Sequence, residues 1–270
     1  MRFERISDSE PTVHAPELPL AHAAFRPPRT RPRSPRWDAG PQATPRDVAA
    51  LRWIGEQYTA RFDVAGLLLS RLAPEPIGLL SRRTVRQRIT RWEQADWISR
   101  HRLLGHTWIV PTTAGLRHAG LDHLDPWQPA AARLTHHHAV ALVRLARELV
   151  PGQAGWVCER ELWRRRGKAS WHLADGALPV PVPAAWQARG VGAAFELVEV
   201  ELHEKARRRT LAALKTLPPA TAQVTYYTSP ALYAALSAQV ASVAREAGGQ
   251  VAVRVALLPE VAGIGWEVAA

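Results

Sequence analysis

The tightest constraint on the fold lies in residues 81–95. Ser81 precedes Arg82-Arg83-Thr84-Val85-Arg86-Gln87-Arg88-Ile89-Thr90-Arg91-Trp92, in which residues 82–91 hold five Arg and no acid. Ser is an N-cap residue, and Val85, Ile89 and Trp92 fall on one face of a helix at i, i+4, i+7 spacing. At about 100° per residue, the opposite face carries Arg83, Gln87, Thr90, Arg91 and Gln94, flanked by Arg82 and Arg86. A helix with so sharp a division must bury its indole and aliphatic side against neighbouring elements.

Those neighbours can be read on either side. Thr44-Pro45-Arg46-Asp47 is a helix start: Thr44 at the N-cap, Pro45 at the first helical position and Asp47 where a capping-box acid belongs. Val48, Leu51, Ile54 and Tyr58 follow at helical spacing. A second helix begins near Asp63, buries Val64, Leu67, Leu68 and Leu72, and stops at Pro74 and Pro76. After Gly78 comes the Arg-rich helix, to about Ala95. Residues 97–100 and 107–110 form two strands joined around Leu104-Gly105-His106, and Pro111–Leu116 leads into another short helix. Three helices, a hairpin and a helix predict a winged helix-turn-helix over residues 44–124. Arg and Gln match guanine and adenine edges in a major groove, while Arg82 and Arg86 suit phosphates. Arg100, His101 and Arg102 on the wing reach an adjacent groove or backbone. The expected partner is therefore double-stranded DNA. Two alternatives stay open, a solvated amphipathic helix and a winged helix used for protein contacts.

Charge points the same way. Lys and Arg total 35 against 24 Asp and Glu, a formal +11, and such a surplus attracts polyanions. Only Lys168, Lys205 and Lys215 are Lys, and Arg grips phosphate bidentately; a GC-rich genome is an equal explanation of that preference. Residues 1–43 are dense in Pro, Ala and Arg and lack helical or strand periodicity. They are expected to be a disordered tail, or a basic arm lying on phosphates. Pro11, Pro16 and Pro19 interrupt the one candidate signal segment, and no apolar run is long enough for a membrane span. The single Cys158 excludes an internal disulfide and a Cys-rich zinc site. A reducing cytoplasm is the expected compartment.

Residues 125–135, with Pro126 and Pro129, read as a linker. A second domain over 136–262 follows, then a C-terminal tail at 263–270. Its first helix runs from about His136 to Val150, with Ala139, Leu142, Val143, Ala146 and Leu149 on one face and Pro151-Gly152 at its end. Residues 156–160 read as a strand, followed by a basic segment to Lys168. A further strand is expected near Trp171–Gly176, then a Pro-rich turn at 179–183 and a strong strand at 195–202. Helix 203–216, strand 222–228, helix 230–247 and strand 250–257 complete an α/β arrangement, so the chain as a whole is α+β.

On the strand 195–202, Glu199 and Glu201 share one face and Val198, Val200 and Leu202 the other. Asp175, Glu199, Glu201 and Lys205 are the inventory of a Mg²⁺-dependent phosphodiesterase site, with Asp175 and Glu199 as the metal carboxylates. The alternative is an edge strand whose Glu199 and Glu201 bridge to Arg207, Arg208 or Arg209. Consecutive His136, His137 and His138 point in different directions on a helix, which argues against a metal tract. Cys158 reads as a small buried residue.

The segments Trp108–Leu116, Glu159–Leu162, His172–Gly176 and Glu199–Lys205 resemble, in that order, the actinobacterial replication-relaxation family of plasmids and integrating elements. The resemblance spans roughly 45–260. It implies an N-terminal winged helix-turn-helix joined to a domain resembling the PD-(D/E)xK nuclease fold, with Asp175 and Glu199 as its two acids. The chain departs from that motif at Ala174, where the motif has Pro, and at Glu201, where it has Lys; Lys205 is the available substitute. These departures favour a DNA-binding protein acting in replication, relaxation or mobilisation without cleavage, with a homodimer as a further expectation. A Mg²⁺-dependent nuclease and a transcription repressor with a C-terminal dimerisation or ligand domain stay open as alternatives.

Overall fold

The computed structural model describes residues 42–73, 78–148, 155–248 and 251–265. Residues 1–41 of the tail expected at 1–43, the helix-ending Pro74 and Pro76, Leu149 to Gly152, and residues 266–270 lie outside them. Residues 40–270 form one compact unit of mixed helices and strands.

The first elements follow from their caps. Helix α1 (Pro45–Glu56) starts at Thr44, whose hydroxyl accepts from the Asp47 N–H while the Asp47 carboxylate accepts from the Thr44 N–H at 2.8 Å. That reciprocal pair satisfies donors a helix start leaves open. A two-residue strand β1 (Ala60–Arg61) and helix α2 (Phe62–Arg71) follow, and Ser81 caps α3 (Arg82–Gln94). Strands β2 (Ile98–Leu103) and β3 (His106–Pro111) pair antiparallel, and Thr112 caps α4 (Thr113–His118). The hairpin turns at Leu104 and Gly105, both at positive φ, the two-residue turn whose twist matches its strands. Strand β1 joins this sheet on the other side of β3. At Gly115 a Cβ would stand 1.8 Å from the Trp97 carbonyl oxygen, so only Gly lets α4 lie against the β2 entry.

The second sheet runs β4-β5-β6-β7-β8. Its strands are β4 (Val157–Cys158), β5 (Gly176–Val180), β6 (Ala194–Glu201), β7 (Thr221–Thr228) and β8 (Ala252–Leu257). The first three pair antiparallel, and β6, β7 and β8 are parallel. Helix α5 (Ala131–Glu148) precedes β4, and α6 (Glu159–Arg166) follows it. Helix α7 (Ala184–Gln187) lies between β5 and β6, α8 (Arg207–Lys215) between β6 and β7, and α9 (Pro230–Glu246) between β7 and β8.

Several local expectations are corrected. The strand expected before Asp175 and the turn expected at 179–183 are one strand later than read: β5 begins at Gly176 and passes through Pro179. Beyond Ala177 that strand has no β4 partner, so a residue without an N–H costs little there. The basic segment after β4 is a helix. Helix α5 begins five residues before His136, inside the expected linker. Residues 263–265, expected as tail, fold back: Ile264 packs on the first core and the His138 ring meets the Gly265 carbonyl at 3.0 Å.

Helix α5 is buried on two sides. Ala141, Leu142 and Leu145 join the core made by α1, α2 and α3, whereas Ala139, Val140 and Val143 join that of the second sheet with Leu178, Val198 and Val200. The buried Arg144 guanidinium bonds Glu148 at 2.7 Å and Glu56 at 2.8 Å and lies 4.7 Å over the Trp53 ring. The Trp53 indole N–H in turn donates to Glu148 at 2.8 Å. Two carboxylates that are themselves partly exposed reach the buried cation, which offsets much of its desolvation cost.

Candidate nucleic-acid interface and a buried carboxylate cluster

The inner side of α3 packs as its spacing predicts, with Val85, Ile89 and Trp92 at 3%, 0% and 1% exposure. Trp92 donates its indole N–H to Asp47 Oδ1 at 2.8 Å, and Arg88 reaches the same oxygen at 2.6 Å. One of the five arginines therefore works inward, fastening α3 to α1. Burial pushes the Asp47 carboxyl up, but hydrogen bonds from Thr44, Arg88 and Trp92 outweigh it and hold it below the usual carboxylate range.

On the outer side Arg82, Arg83, Arg86, Gln87, Arg91 and Gln94 are exposed, and Thr90 is half-buried. Among the described residues none of Arg82, Arg83, Arg86 and Arg91 has an ion-pair partner; Arg88 alone of the five is tied up. On the hairpin, Arg102 is exposed, and Arg100 bonds Glu93 at the end of α3. Arg100 thus braces the hairpin against the helix, and its charge is neutralised locally. The sequence missed this because a seven-residue separation across a turn carries no periodic signal.

The carboxylates of the second sheet meet at the junction of β5 and β6. Asp175 stands just before β5, where the Gly176–Val198 register places it beside Glu199. Its Oδ1 meets His136 Nε2 at 2.8 Å, and its Oδ2 accepts the Val200 N–H at 2.7 Å. Glu199 Oε1 meets His172 Nε2 at 2.6 Å, and Lys205 Nζ lies 3.9 Å from Glu199 Oε2 and bonds Glu201. The four residues expected together do come together, but β6 is the middle strand of five. The edge-strand pairing of Glu199 and Glu201 with Arg207–Arg209 is not formed, and Arg207 bonds Glu246 instead. His172 lies in the quoted His172–Gly176 segment and could have been noticed. His136 approaches from α5, and no local pattern announces that contact.

Charges in the cluster are unequal. Burial pushes Asp175 up, and the His136 cation and the Val200 N–H draw it below the ordinary carboxylate range. Glu199 is pushed up, chiefly by burial and by the Asp175 charge, against the His172 contact and Lys205. Burial lowers Lys205, but Glu199 and Glu201 raise it above the usual lysine range. His136 is raised despite burial, because Asp175 faces it. The other two histidines of the run diverge: His137 packs 4.7 Å from the Tyr58 ring and 4.9 Å from Trp127, and burial drives it down to about 3. His138 turns toward Gly265 and falls to about 4, again through burial. Cys158 is buried and its thiol is pushed up to about 11 by that burial, as suits an unreactive packing residue.

Both oxygens of Asp175 are occupied by protein donors, and Glu199 is flanked by an imidazole and an ammonium. Among the described residues no three His, Cys, Asp or Glu side chains converge as a metal-ligand set. The donor arrangement does not fit a divalent cation. Among the same residues, no helix is long and apolar enough to cross a membrane. No family model, curated protein or solved structure matches the chain.

Proposed function

We propose that the chain binds double-stranded DNA, with α3 as the major-groove helix of a winged helix-turn-helix formed by α1 to α4 and the β2–β3 hairpin. One observation carries this reading: Arg83, Gln87, Arg91 and Gln94 are exposed on the face of α3 opposite its buried residues, with exposed Arg82 and Arg86 flanking it and no carboxylate partner for Arg82, Arg83, Arg86 or Arg91 among the described residues. A face that holds several cations without internal acids is matched by a polyanion, and Arg and Gln forks read base edges. The Arg88 pairing supports the same assignment, because it fixes the helix without using the outer face.

The second sheet is read as nuclease-like. Its order of a helix, three antiparallel strands, a crossover helix and a parallel strand, with one acid before the second strand and another on the third, agrees with the replication-relaxation resemblance. The internally satisfied Asp175 and Glu199 favour a role in replication, relaxation or mobilisation without cleavage. Duplex binding measured by anisotropy for wild type, Arg83→Ala and Arg82→Ala tests the α3 assignment. Equal affinity of all three proteins would overturn it.

A further inference from the structure

Trp163 is 68% exposed, and no other tryptophan among the described residues stands mostly in solvent. It lies on α6, which buries no residue of its own, and basic side chains follow it at Arg164, Arg165, Arg166 and Lys168. The segment is organised. Glu161 holds Arg164 at 2.8 Å and Arg165 at 2.7 Å, and Arg166 bonds the Ala169 carbonyl at 2.7 Å. Gly167, at φ 55°, ends the helix, and Lys168 to Ser170 are exposed. Arg166 follows Trp163 by three residues and so neighbours it on the helix, and one turn earlier Arg160 reaches the Gly55 carbonyl at 2.6 Å.

Leaving an indole in water gives up apolar burial worth having, and a surrounding rim with net positive charge disfavours a basic partner. An anionic polymer with exposed flat faces suits both features. Unpaired bases offer those faces freely, while a duplex offers them only at its ends or after unstacking. We propose that Trp163, with Arg164, Arg166 and Lys168, forms a second nucleic-acid contact, one that stacks the bases of single-stranded DNA. It is separate from the duplex contact on α3 and rests on different residues.

The test is anisotropy of a labelled oligothymidylate with the full chain at fixed salt, alongside a labelled duplex. Wild type binds the single strand, Trp163→Ala weakens that binding roughly ten-fold, and Trp163→Phe keeps most of it. Because the residue is exposed, thermal melting of the Ala variant should match wild type, so a loss of binding is not a loss of fold. An unchanged affinity in Trp163→Ala overturns the proposal, as does a wild type that does not hold the single strand. So does a dimer in wild type that becomes monomer in Trp163→Ala with strand affinity intact, which assigns the indole to a protein interface. Duplex affinity of Arg83→Ala reports on the α3 reading independently.

Discussion

Asp47 on α1 accepts the indole N–H of Trp92 on α3 at 2.8 Å, across 45 residues of chain. The same carboxylate closes the capping box of α1 and takes Arg88, so one acid sets both the start of a helix and the pose of the Arg-rich helix. Asp47→Ala leaves a buried indole N–H and a guanidinium without acceptors. The expected loss is about 2–4 kcal/mol, read as a lower denaturation midpoint. Since the folded carboxyl is held below its ordinary value, its contribution is present above about pH 4. It disappears as pH falls through the lowered value, and the gap between wild type and Asp47→Asn should close there.

On the outer face, Arg83→Ala is expected to weaken duplex binding by about 1–3 kcal/mol and to relax sequence preference, as loss of a base contact does. Arg82→Ala weakens all sequences alike and lowers the slope of log affinity against log salt by about 1. Selection from random duplexes followed by a salt titration distinguishes the two outcomes. Identical binding profiles for both variants would sink the division of labour.

Arg144→Ala removes a fully enclosed cation from Glu56, Glu148 and the Trp53 ring. Loss of its charge-assisted hydrogen bonds to these partly exposed acids and of its packing on Trp53 should cost about 2–3 kcal/mol, visible in chemical denaturation. A change below about 1 kcal/mol would mean that the guanidinium gives these acids no more than water does.

His136 gains its raised pKa from Asp175, so its contribution is present below its unfolded value of about 6.5 and fades as pH rises through the folded value. Melting temperature against pH for wild type and His136→Gln should differ most under mildly acidic conditions and converge under alkaline ones. Parallel curves throughout would show that the imidazole carries no proton in the folded chain.

Supercoiled plasmid is expected to survive incubation with the protein and Mg²⁺ or Mn²⁺. Nicking that disappears in both Asp175→Ala and Glu199→Ala would instead establish the nuclease alternative.

What the residues announce and what they conceal follow one physical divide. Caps at Thr44 and Ser81, the Leu104-Gly105 turn and the inner face of α3 depend on neighbours within a few positions, and all were legible. The grouping of Asp175 with Glu199 was legible from the inventory of charged residues and from the family resemblance, although the strand that carries it begins after Asp175. Helix α5 was read as amphipathic with one buried face, since a stripe of small and aliphatic residues says nothing about a second covering layer. Helix α6 was hidden by its charge, and β5 by Pro179, whose cost vanishes only because β4 is short. The Arg100–Glu93 and His136–Asp175 contacts join distant elements, and composition near either residue gives no hint of them.

The double burial of α5 has a mechanical consequence. A rod of 18 residues, about 27 Å long, belongs to both interiors at once and leaves no place for a hinge between them. The outer arginines of α3 and the Asp175–Glu199 pair are thereby held at a set distance and angular phase from each other by one stiff spacer.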